Sequence, residues 1–95
     1  MPRTLFVYIV TNRSGTLYVG VTNHPIRRMV EHRAGKPGSF TERYRIGRLL
    51  YLGSVPGPRN AIAREKQIKG WTRSRKLALI RTLNPEWRDL AEGWG

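Results

Sequence analysis

The sequence predicts an α+β domain, a three-stranded antiparallel sheet flanked by helices in the order β-β-α-β-α-α. Three observations carry this. Two β-branched and aromatic runs, residues 4–10 and 16–21, flank a turn-rich segment at 11–15 and read as an antiparallel hairpin. A third apolar run, 49–55, stops at the Pro-Gly-Pro of 56–58. The remaining stretches place apolar residues at helical spacing, once between the second and third strands and twice after the third. Strands and helices alternating irregularly in one short chain make a mixed α+β layer.

Each element has its own signals. In the first hairpin, Gly15 supplies the positive φ that a tight turn needs. Asn23 or His24 caps the first helix and Pro25 suits its first turn. Ile26, Met29, Val30 and Arg33 follow helical spacing, and Gly35 ends the helix. Residues 35–47 form a long basic loop containing Phe40, Thr41 and Tyr44. The second helix covers 59–71, with Gly70 near its end. Ser74 caps the third, which carries Leu77, Ile80 and Leu83 and stops at Asn84-Pro85, because the residue before proline disfavours helical geometry. The tail, 86–95, holds Trp87, Leu90 and Trp94 and is expected to pack as a turn or short helix. The chain is read as one domain over 1–90, followed by a C-terminal tail at 91–95.

Composition narrows the function. The 95 residues hold 18 Lys and Arg against 6 Asp and Glu, a formal net charge of +12. Such an excess attracts a polyanion, and nucleic acid is the leading candidate. The absence of cysteine excludes a disulfide scaffold and any Cys-containing zinc site, and suits the reducing cytoplasm. The longest apolar run, 5–10, is far below the ~18 residues of a membrane span, and no signal-peptide cleavage site follows it. No P-loop, dinucleotide fingerprint or nucleophile elbow is present, so no small-molecule cofactor is expected. The charge is also uneven: between Arg43 and Arg81 stand eleven bases and one acid, Glu65. A surface that only grips phosphate does not need that acid.

Five residues could carry chemistry. Tyr8 and Tyr18 lie on the two strands of the hairpin and face each other directly if the loop is 12–14. Two adjacent phenols can hold a water or a phosphate oxygen, and they can equally be a cross-strand aromatic pair in the core. Arg28 and His32 are four apart and share one side of the first helix, off the apolar stripe. They could grip phosphate and move protons, or form a solvated face. Glu65 lies close to the stripe of Ala61, Ile68 and Trp71. Its carboxylate could bind Mg²⁺, or pair with Lys69 one turn on.

Together these residues resemble the GIY-YIG endonuclease domain, in its small single-domain bacterial form. The resemblance rests on Phe6-Val7-Tyr8, on Tyr18-Val19-Gly20 ten residues later, then on Arg28, His32 and Glu65 in order. Local agreement extends through 17–23, Arg27-Arg28 with Glu31-His32, 63–69 and Asn84-Pro85-Glu86-Trp87, covering about residues 4–90. The name-giving glycine of the first motif is replaced by Phe6, and Val19 stands for the isoleucine of the second. The resemblance implies a DNA endonuclease that hydrolyses phosphodiesters with one Mg²⁺ or Mn²⁺ ion. It implies Tyr8 as general base assisted by His32, Tyr18 as positioner of water or a phosphate oxygen, Arg28 as stabiliser of phosphate charge, and Glu65 as metal ligand. Gly20 would permit close packing where the strand leaves the site. Substrate contacts are expected from Arg27, Lys69 and Asn84, and from Tyr44 and Arg45 in the long loop. Two other readings use the same basic field: a non-catalytic nucleic-acid-binding or ribosome-associated module, and an accessory protein whose tail binds a partner through Trp87 and Trp94.

Overall fold

The computed structural model describes residues 3–34 and 47–94. It has the predicted order: β1 (Thr4–Thr11), β2 (Leu17–Thr22), α1 (Pro25–Ala34), β3 (Arg48–Pro56), α2 (Pro58–Lys69) and α3 (Arg73–Leu83). The three strands form one antiparallel sheet in the order β2-β1-β3. None of the described helices is long and apolar enough to cross a membrane.

The central position of β1 explains its composition. Val7, Tyr8, Ile9, Val10 and Thr11 are all buried in succession, so neither face of the strand sees water. On one face Val7 and Ile9 join Val19, Leu50, Ile68 of α2 and Ile80 of α3. On the other, Tyr8 and Val10 join Leu49, Met29 of α1 and Ala91 of the tail. A continuous apolar run is what burial on both faces requires, where a half-exposed strand would alternate. Between Ile9 and Val10 the β1–β3 register shifts by one residue. This bulge turns Leu50 onto the same face as Tyr51 and lets Leu49 face Met29.

Three local expectations change. The hairpin loop is longer than 12–14, so the register pairs Tyr8 with Gly20 and Val10 with Tyr18. The two tyrosines are therefore diagonal neighbours on one face, not direct partners. The cap of α3 is Thr72 rather than Ser74; its side chain accepts from the Arg75 amide at 3.3 Å. Thr72 has already left the helical region, at φ −63° and ψ 159°, so the helix starts one residue after it. In α1 only Met29 of the apolar stripe is buried, while Ile26 and Val30 stay 50% and 41% exposed. The helix is rotated so that His32 meets the sheet instead. The predicted end at Gly35 and most of the loop that follows lie outside the described residues.

The tail packs against the body of the domain. Trp87 lies against the cluster of Ile9 and Ile80, and Trp94 against that of Tyr8 and Met29. Asp89 Oδ1 accepts from the amides of Leu49 and Ala91, both at 3.0 Å, and its other oxygen pairs with Arg33. The Leu90 amide donates to the Leu49 carbonyl at 2.8 Å, so the tail covers the outer edge of β3. A chain ended after Asn84 is expected to lose cooperative folding. Deleting a packed tryptophan side chain costs about 3 kcal/mol, against the roughly 5–15 kcal/mol that holds a small domain. Thermal denaturation followed by circular dichroism checks this, and a cooperative transition in the shortened chain would refute it.

Candidate active site

The site is built outward from Tyr8. Strand register places its ring across Gly20, with no side chain between them. A β-carbon at Gly20 would sit 2.3 Å from the Tyr8 hydroxyl oxygen and 2.4 Å from Cζ. Gly20 is thus the floor on which the tyrosine lies, closer to the site than a packing role at the strand's exit. α1 then brings two side chains to the same phenolic oxygen. Arg28 Nε–H donates to it at 3.2 Å, and His32 Nε2 lies 3.0 Å away. The His32 and Tyr8 rings meet edge to face, 5.6 Å between centroids. The four-residue spacing of Arg28 and His32 makes both contacts possible, because it stacks them one turn apart.

Tyr18 shares this face one pair along. Its hydroxyl accepts from Asn12 Nδ2 at 3.2 Å. Asn12 also shapes the hairpin turn, its Oδ1 accepting from the Thr16 amide and the Ser14 hydroxyl. One turn residue therefore sets both the loop and a site phenol.

A cleft of about 550 Å³ along the edge strand β2 collects Tyr8, Tyr18, Gly20, Arg28, His32 and Glu65 with Lys69 and Lys76. α1 packs on one face of the sheet and α2 on the other. Glu65 therefore joins the tyrosines past the edge of β2. Its side chain is only 15% exposed and pairs with Lys69 Nζ at 3.4 Å, while Lys69 is 62% exposed. Sequence reasoning gave Lys76 of α3 no place in the site. It is one base among many in its stretch of chain, and nothing local marks it until the helices are packed.

Other expected contacts fall elsewhere. Arg27 pairs with Glu31 at 3.6 Å and lines an adjoining groove with Arg3 and His24, which meets the cleft at Arg28. Asn84 lies apart from the cleft. It is buried, its Nδ2 donates to the carbonyls of Leu50 and Arg88, and its Oδ1 accepts from the Arg88 amide. Its amide group ties the end of α3 to β3 and the tail. Tyr44 and Arg45 lie outside the described residues.

The electrostatics follow from these contacts. The hydrogen bond to Tyr8 raises the Arg28 pKa above its ordinary value, partial burial opposing it. The guanidinium stays charged. Burial, and secondarily the charge of Arg28, lowers His32 to about 4, with Glu31 acting weakly the other way. His32 is therefore neutral at pH 7. Its folded pKa lies below the ordinary 6.5, so its contribution to stability is complete above about pH 6.5 and is lost as pH falls toward 4. A proton NMR titration should find the His32 midpoint near 4. Arg28→Gln should raise that midpoint without restoring 6.5, because burial remains. An unchanged midpoint in the variant would show that Arg28 does not act on the ring.

The donor set also bears on a metal. Glu65 is the one carboxylate lining the cleft among the described residues. Among those residues, no three His, Cys, Asp or Glu side chains cluster closely enough to cage an ion. One hard carboxylate beside cationic side chains is a donor set that fits Mg²⁺ or Mn²⁺, ions that keep several waters and take other ligands from phosphate.

The GIY-YIG catalytic domain model matches residues 4–78. A UPF0213 protein of Syntrophus aciditrophicus is 39% identical over 82 residues, 85% of this chain and 93% of that protein. A UPF0213 protein of Staphylococcus epidermidis is 36% identical over 75 residues, 79% of this chain and 92% of that protein. The solution structure of a UPF0213 protein from Bacillus halodurans superposes with a TM-score of 0.57 at 24% identity, covering 95% of this chain and 96% of that one. That likeness shows a shared fold. The domain match supports a nuclease-type function and implies nucleic acid as substrate. The chain belongs to the GIY-YIG catalytic-domain family, alongside small bacterial relatives that it matches over nearly their whole length.

Proposed function

We propose that the protein is a metal-dependent endonuclease that hydrolyses phosphodiester bonds in DNA. The observation that carries this reading is the Tyr8 hydroxyl, contacted by both Arg28 and His32 in a cleft that Glu65 shares.

In this reading Tyr8 Oη takes a proton from the attacking water while it passes its own phenolic proton to neutral His32 Nε2, 3.0 Å away. Arg28 Nε–H already points at that oxygen, and this charge-assisted contact favours the phenolate character the oxygen needs to act as a base. Neutral His32 holds the other side of the oxygen and orients the phenol. Tyr18, fixed by Asn12, positions the water or a phosphate oxygen. Arg28, Lys69 and Lys76 receive the phosphodiester in a site whose charges are in place before substrate arrives. Glu65 would hold one Mg²⁺ or Mn²⁺, which when bound stabilises charge on the departing oxygen. Substrate continues from the cleft across Arg28 into the groove lined by Arg27.

One observation favours the non-catalytic reading: Glu65 is already paired with Lys69. Lys69 is largely in solvent, however, and such pairs are worth only about 0–1 kcal/mol. The pair opens at little cost when a divalent ion competes for the carboxylate.

The test compares wild type with Tyr8→Phe on plasmid and single-stranded DNA, with Mg²⁺ or Mn²⁺ and with chelator. Wild type should cleave only with metal, and Tyr8→Phe should be slower by roughly 10²–10⁴. Metal-independent cleavage, or full activity in Tyr8→Phe, would overturn the mechanism.

A further inference from the structure

Beyond the cleft, α2 and α3 carry a second cationic feature. The guanidinium of Arg75 lies 4.4 Å, and that of Arg64 5.1 Å, from the centroid of the Trp71 ring. Trp71 is half-buried and packs against the core cluster of Ile9, Ile68 and Ile80. The ring is therefore a fixed plate, and it holds two otherwise flexible side chains near one position. Neither arginine pairs with a carboxylate among the described residues. Arg64 donates to Gln67 Oε1 at 2.7 Å, a neutral partner. The local sequence offers little counter-charge, since residues 64–85 contain seven bases and one acid, Glu65, which pairs with Lys69.

Two guanidinium groups pre-ordered by stacking, with donors left over and no carboxylate paired to them among the described residues, suit phosphate oxygens. An arginine stacked on an aromatic face loses less freedom on binding than one free in water. Neither Arg64, Trp71 nor Arg75 lines the cleft. Arg64 precedes Glu65 by one residue, so it points about 100° around α2 from the cleft carboxylate. One helix thus presents Glu65 to the cleft and Arg64 to a separate surface.

We infer that Arg64 and Arg75, ordered on Trp71, form a second grip for the phosphodiester backbone of nucleic acid, outside the cleavage cleft. This rests on the nucleic-acid reading above and adds where a flanking stretch of the same polymer is held. The grip contacts backbone and so adds affinity without reading bases. The basic residues then divide into two sets. Lys69 and Lys76 face the cleft, and Arg64 and Arg75 anchor the polymer beside it.

The experiment measures binding of a labelled DNA duplex over a range of salt, with chelator present to prevent cleavage. Wild type, Arg64→Ala/Arg75→Ala and Arg64→Lys/Arg75→Lys are compared. Trp71 is left intact because it is part of the core. The alanine pair should weaken binding roughly tenfold at moderate salt and flatten the slope of log affinity against log salt by about 2, one unit for each phosphate no longer neutralised. The lysine pair should recover most of the slope, since counterion release depends on charge. A wild-type slope in the alanine pair would overturn the inference and leave the nuclease reading standing. A loss that lysine does not recover would assign the arginines to folding and overturn it too. Failure of wild type to bind would defeat both readings.

Discussion

Glu65→Ala is expected to abolish metal-dependent cleavage, lowering the rate by at least roughly 10²–10³, while binding of DNA is kept or strengthened. Glu65 is the one carboxylate among the described residues of a cleft otherwise charged by Arg28, Lys69 and Lys76, so none of these neighbours can replace it as ligand. Its removal also frees Lys69 from the ion pair and makes the cleft more positive by one charge. The two readouts therefore move in opposite directions. A purely structural Glu65 would predict the reverse, with normal cleavage where the fold survives. A binding module would show tighter binding and no cleavage even in wild type. Single-turnover cleavage and equilibrium binding on the same preparation separate these cases. Cleavage by Glu65→Ala at the wild-type rate would remove the metal from the mechanism.

Gly20→Ala is expected to damage both stability and activity, against the usual direction for this substitution. Replacing glycine by alanine within a strand generally gains about 0.5–1 kcal/mol. Here the added carbon would fall 2.3 Å from the Tyr8 hydroxyl and 2.4 Å from Cζ, inside the ring's own volume. Tyr8 is buried, with Arg28 and His32 around its oxygen, so the ring cannot simply swing aside. Forcing it to move should cost about 1–3 kcal/mol as overpacking. The moved ring would lose both hydrogen bonds, and cleavage should fall to the level of Tyr8→Phe. Urea denaturation and cleavage assays on one sample check both parts. A variant more stable than wild type with full activity would show that Tyr8 does not need its place over Gly20.

These two residues also mark what the sequence makes visible and where it stops. Glu65 is conspicuous as a solitary acid among bases, and its nearness to the apolar stripe follows from helical spacing alone. Gly20 is visible only as a motif glycine. Its reason depends on the pairing of Tyr8 with Gly20, and a different turn length would move the partner to Tyr18. Asn84 too takes its surroundings from the fold. As a polar residue after a helix it is suggestive, yet the fold buries it and commits its amide to Leu50 and Arg88.

Local chemistry thus determined the element order, the position of β1 as the most apolar strand, and the ends of α2 and α3 to within one or two residues. Propensity, period and caps act over a few residues, so they are written in the chain. Register, helix rotation and the meeting of α1 with α2 around β2 were decided only by tertiary packing. Arg28 and His32 converge on Tyr8 because α1 turns Ile26 and Val30 outward to bury Met29. Glu65 joins them because Ile68 seats α2 on the opposite face of the sheet. Such choices balance contacts among residues distant in sequence, and no local pattern carries that balance.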